Sequence, residues 1–245
     1  SRWEGLRHVE ATERQAGDRA ALVDLQAIDR GKLSAADQLN YDTFEWQLKQ
    51  SIARQTFSEY LMPISHQGGV QTADGLIELL AFNTEKDYRD WLARLNALPT
   101  LIDQNIVLLR EGAKLGMTPP KAIMKRVPNQ IAAQVVDDPT KSALYSPFKQ
   151  FPEGIPAATQ TELQALAKQA ISTKVVPAYA ALQKFFIDEY MPATRENIGA
   201  TSLPNGKAYY DFLAGYYTTT ALSAEQIHAI GLKEVARIRA RMEAV

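Results

Sequence analysis

Tyr41, Phe44, Leu48 and Ile52 follow one another at intervals of three, four and four residues, and this spacing recurs through almost the whole chain. Such a period puts apolar side chains on one stripe of a helix. Tyr88, Trp91, Leu92 and Leu95 continue it, then Ile102, Ile106 and Leu109, then Ile123, Val127, Ile131 and Val135. No segment alternates cleanly between apolar and polar residues, as a half-buried strand would. The pattern predicts an all-α fold of six to eight long, partly proline-kinked helices packed as an irregular bundle. It admits no Ser/Gly linker, so one helical domain over residues 1–245 is expected.

Boundary signals refine this reading. Ser34, with Asp37 three residues on, reads as an N-cap, and Ser223 with Gln226 as a capping box. Pro99 predicts a kink or break near Leu98, and Pro177 a kink in the longest helical pattern. Thr118 and Pro119 read as an N-cap and first helical residue. Long ordered loops are expected around 62–75, where Gly68 and Gly69 follow His66, and around 137–158, which is rich in proline.

The chain's chemistry is mostly defined by what it lacks. There are no cysteines, hence no disulfide, thiolate nucleophile or Cys-ligated metal. A formal net charge of -1 gives no electrostatic case for nucleic acid or an anionic membrane. No apolar run is long enough to span a bilayer. The three histidines, His8, His66 and His228, are isolated, with no His-Glu-x-x-His pattern and no Gly-x-Ser-x-Gly elbow. No catalytic residue and no metal ligand is assigned. The carboxylate pairs Asp137-Asp138 and Asp188-Glu189 read as solvated charge. Among the histidines, His66 in the glycine loop is the one with binding potential, set against a loop histidine bonded to backbone.

"LPNGKAYYDFLAGYYTTT", Leu203 to Thr220, departs most from ordinary helix composition. On a helix starting near Lys207, Tyr209, Phe212, Leu213 and Tyr216 share one face, and Tyr210 and Tyr217 another. One set can be core. The other then meets a neighbour or a cavity, and tyrosine suits a half-wet wall because its ring packs while its hydroxyl finds a partner. Core packing and cleft lining both remain open for these rings.

"YLMPISHQGGVQT", "DYRDWLARLNALP", "LLREGAKLGMTPPK" and "LPNGKAYYDFLAGYYTTTALSAEQIHAIGLKEVARIRARM" together resemble the bacterial domain of unknown function 885 family, in matching order over nearly all 245 residues. Members are long, mostly helical, often exported or lipoprotein-anchored. They are grouped with zinc metallopeptidases through a His-Glu-x-x-x-Gly-His-His-type segment in their C-terminal half. That segment does not occur here. The resemblance therefore implies the N-terminal, cleft-wall portion of a zinc-dependent peptidase-like protein, inactive alone, with zinc held by the C-terminal half. It also implies a periplasmic, secreted or lipid-anchored location, which these residues do not themselves encode. Expected partners are that half and a peptide substrate, with no nucleic acid and no transmembrane segment. By the same analogy Tyr209, Tyr210, Tyr216, Tyr217 and His66 are candidate substrate contacts. The last residues, "VARIRARMEAV", read as a helix cut in mid-course, and any export signal would precede residue 1. The alternative is a non-catalytic helical scaffold that binds a peptide or protein.

Overall fold

The computed structural model describes residues 8–244, with side chains from Glu13 onward, so the side chain of His8 and all of Val245 lie outside the described residues. The fold is all-α, and among the described residues only one isolated bridge, Pro120 with Arg195, is strand-like. The chain groups into two compact units, residues 1–16 with 59–198 and residues 17–58 with 199–245.

The first unit is built on a thirty-residue helix, α3 (Glu85–Lys114). A reciprocal capping box between Thr84 and Asp87 starts it. The helix continues through Pro99 with no break near Leu98. A proline inside a helix costs about 3 kcal/mol. Here Leu95, Leu98, Leu101 and Ile102, on both sides of Pro99, are all buried, and their packing outweighs that cost.

Against α3 runs a helical stretch over 157–193. It comprises α6 (Ala157–Ala170), α7 (Val176–Phe185) and the short α8 (Met191–Ala193), joined by π turns at Ile171–Val175 and Phe186–Tyr190. The two junctions share one construction. Val176 N–H donates five residues back to Ile171 and Met191 N–H to Phe186, and a proline, Pro177 or Pro192, follows directly. A proline has no N–H to give and its ring crowds the carbonyl four residues earlier. Widening the turn just before it relieves both problems.

The helix expected from Pro119 onward is instead two short ones, α4 (Lys121–Met124) and α5 (Val127–Ala132). Pro128 accounts for the break, because its ring would meet the carbonyl of Met124. Thr118 is no N-cap: its hydroxyl accepts from Arg195 N–H at 3.2 Å and its carbonyl from Arg195 Nε at 2.9 Å. The two long loops are only partly irregular, since 3₁₀ turns occupy Val70–Leu79, Pro139–Lys141 and Ala143–Lys149. Tyr145 and Phe148 bury their rings and pin the second loop.

The second unit contains the C-terminal part of α1 (His8–Gln26), α2 (Ala35–Arg54), α9 (Gly206–Thr218) and α10 (Ala224–Glu243). Ser34 caps α2 by accepting from Asp37 N–H, and the Ser223–Gln226 box is complete in both directions. Among the described residues no helix is long and apolar enough to cross a membrane.

Candidate functional site

Gly206 fixes where α9 begins. Its N–H closes the turn by donating to Leu203 O at 2.8 Å, after Asn205 has taken a left-handed φ of 55°. A Cβ at Gly206 would lie 2.4 Å from Ala200 O, so only glycine fits. From that start the helix presents its aromatic residues in two sets, at the predicted phase.

Tyr209, Phe212 and Tyr216 form the half-buried set. The Phe57 ring lies 5.2 Å from Tyr209 and 5.3 Å from Phe212, and Trp46 stacks on Tyr216 at 5.6 Å with the planes 18° apart. The Arg54 guanidinium sits 6.0 Å from the Tyr216 ring centre, at the outer limit for a cation–π contact. Rings at these offsets attract each other beyond the area they bury. The band joins α9 to α2 and to the 3₁₀ turn Gln55–Phe57.

Tyr210 and Tyr217 form the other set and are exposed, at 46% and 73%. Seven residues apart, they stand on one stripe about 10 Å apart along the axis. The Tyr217 and Tyr216 rings meet edge to face, 5.1 Å apart with the planes 86° apart. The threonines end the helix. Thr218 Oγ1 donates to Ala214 O at 2.7 Å and lies 2.8 Å from Thr220 Oγ1. Thr219, β-branched, holds a left-handed φ of 52°. The arrangement provides two exposed tyrosine rings on one stripe, with threonine hydroxyls at the end of the helix that bond backbone carbonyls and one another.

His66 belongs to the other unit. It occupies a tight turn in which Ser65 Oγ accepts from Gln67 and Gly68 N–H at 3.2 Å each. A relay of glutamines pins this turn. Gln71 Nε2 donates to Ser65 O at 2.8 Å, Gln130 Nε2 to His66 O at 3.0 Å, and Gln134 Nε2 to both Gln71 O and Asp74. A Cβ at Gly69 (φ 147°) would sit 2.5 Å from Gln71 Oε1. His66 Nδ1 and Gln71 Oε1 are buried without a protein partner. Sequence reading missed the glutamines. The four-residue spacing of Gln130 and Gln134 was the available signal, and the apolar stripe beside them masked it. Tyr179, fully buried on α7, reaches the same segment by donating to Val70 O at 2.7 Å, and burial pushes its phenol pKa up.

Of the carboxylate pairs, Glu189 makes a two-pronged ion pair with Arg110 at 2.8 and 2.9 Å, which lowers its pKa. Asp138 is held low by accepting from the Thr140 N–H and hydroxyl. His228 is exposed near the start of α10. Among the described residues no three His, Asp or Glu side chains converge so as to hold a metal ion.

No curated protein matches this chain. Among solved structures it is similar to one described as "the putative lipoprotein from Colwellia psychrerythraea", with a TM-score of 0.81 at 17% identity. The match covers 98% of this chain and 43% of that one, so the chain spans less than half the length of its structural neighbour. A family profile described as "Bacterial protein of unknown function (DUF885)" matches residues 1–245. The chain thus belongs to the DUF885 family of bacterial proteins.

Proposed function

We propose that this chain is the N-terminal helical part of a longer, zinc-dependent peptidase-like protein, and that α9 supplies one wall of its substrate cleft. The exposed stripe of Tyr210 and Tyr217, braced by the half-buried aromatic band behind it, is the observation that carries this reading. Tyrosine rings pack against apolar side chains of a peptide while their hydroxyls bond its amides. The described residues do not fit a zinc ion, so no chemical step is assigned to them. Polarisation of a peptide carbonyl and activation of water would belong to the remainder of the protein. The description of the structural neighbour as a lipoprotein supports an exported or lipid-anchored location.

The test compares residues 1–245 with the longer protein on a peptide library, with and without chelator. Chelator-sensitive hydrolysis is expected from the longer protein alone. Tyr210→Ala with Tyr217→Ala should raise KM several-fold and cost no more stability than the Tyr216–Tyr217 ring contact supplies, about 0.5–1.5 kcal/mol. Hydrolysis by residues 1–245 that survives chelation overturns the proposal. A second reading, a scaffold that binds a protein partner without chemistry, is favoured by α10, none of whose described residues is buried. Binding without chelator-sensitive hydrolysis in the longer protein would select it.

A further inference from the structure

A twenty-residue helix with no fully buried residue, and with only Ala224, Ile227 and Glu234 partly covered, is poorly stabilised, because isolated helices of this length are marginal in water. Polar surface on every side would explain such a helix, but α10 is not polar all round. Gly231, Val235, Ile238 and Met242 follow at four, three and four residues, a stripe about 60° wide. Val235, Ile238 and Met242 are 62%, 48% and 74% exposed, and Ile238 and Met242 border a recess of about 490 Å³ with Arg237 and Arg241. An apolar seam of this kind marks an interaction surface.

Its edges carry two arginines, together with Glu234 and Glu243. Arg239 and Arg241 stand about 80° to either side of the stripe. Neither forms an ion pair among the described residues, whereas Arg237 is tied to Glu234 at 2.7 Å. Two copies of α10 laid parallel and seam to seam would bring Arg239 and Arg241 of each together, a like-charge arrangement that destabilises helix pairing. A helix edged by carboxylates would neutralise them.

We propose that α10 is a docking helix, covered in the longer protein by a helix from its remaining portion whose apolar stripe is edged by Asp or Glu. This rests on the reading of the chain as part of a longer protein. The neighbour's length supports that occupant, since more than half of that chain lies outside the part matched.

Hydrogen exchange of the α10 amides tests the proposal, measured in residues 1–245 and in the longer protein. The seam predicts at least about tenfold slower exchange in the longer protein, the equivalent of about 1.4 kcal/mol. Ile238→Glu should abolish that difference. Arg239→Glu with Arg241→Glu should reduce it at low salt, and added salt should weaken it in the unaltered protein. Because Ile238→Glu could disturb the longer protein as a whole, the amides of α3 serve as an internal reference and should not change.

Equal exchange in the two proteins overturns the proposal. Dimerisation of residues 1–245 by light scattering, lost in Ile238→Glu, overturns it in favour of a second copy. Charge reversal without effect refutes the acidic-edged partner. A native product that ends at residue 245 defeats the underlying reading, whereas a longer product inactive on peptides leaves the docking helix standing.

Discussion

Two buried tyrosines permit a controlled comparison of what a hydroxyl contributes to this fold. Tyr179 and Tyr190 are 0% and 1% exposed, and both belong to the stretch over 157–193. The Tyr179 hydroxyl donates to Val70 O at 2.7 Å, bridging residues 109 apart, whereas the Tyr190 hydroxyl has no protein partner. Tyr179→Phe removes a buried hydrogen bond and leaves a carbonyl less satisfied, a loss of about 1–2 kcal/mol. Tyr190→Phe keeps the ring contacts with Phe185 and Phe186, at 6.2 and 5.3 Å, and deletes only an unpartnered polar atom. Its cost should stay within about 0.5 kcal/mol, and removing an unmet hydroxyl can even stabilise.

Urea unfolding followed by circular dichroism reads the difference. With an m-value of about 3 kcal/mol/M, Tyr179→Phe should lower the midpoint by roughly 0.3–0.7 M and Tyr190→Phe by less than about 0.2 M. Equal losses from the two variants would refute the reasoning, because they would show that the Tyr190 hydroxyl is as well partnered as that of Tyr179.

Three further outcomes follow from local geometry. Gly112→Ala on α3 would place a Cβ 2.6 Å from Leu61 O and 2.9 Å from Met117 O. The strain should exceed the helix-propensity gain of about 1 kcal/mol, and thermal denaturation should show a net loss of about 1–3 kcal/mol. Thr219→Gly relieves a β-branched residue at φ 52° and should raise the melting temperature, a gain of about 0.5–1 kcal/mol, while Thr219→Val should bring none. Burial raises the pKa of Tyr179 and Tyr190 above the ordinary 10.0. The unfolded chain therefore releases these protons first, so their contribution is complete below about pH 10 and falls as pH rises beyond it. Tyr179→Phe should flatten that alkaline decline.

The fold class was legible because three-and-four spacing is a local property that persists through α2, α3, α6 and α10. Breaks were less legible, because a proline's effect depends on its surroundings. Pro99 is carried by buried leucines on both sides, Pro128 splits two short helices, and Pro177 and Pro192 each follow a π turn. In α9 the two tyrosine faces were readable from phase alone. Their partners were not. Trp46 and Phe57 lie more than 150 residues earlier in the chain, and no spacing rule reaches that far. The glutamine relay behind His66 was hidden for the same reason, since Gln71 and Gln130 are 59 positions apart.

The pair of π turns also bears on how this helix tolerates change in length. Each turn accommodates one residue more than a regular helix would, which offsets everything downstream by roughly 100° about the axis. Losing a residue at Ile171–Val175 would restore ordinary winding yet swing Tyr179 away from Val70, and a loss at Phe186–Tyr190 would turn Tyr190 out of its buried place. Substitutions there would alter packing only locally, whereas a single-codon deletion would rotate an entire face. Gaps in related sequences should accordingly avoid both turns, or occur with a compensating insertion before the next proline.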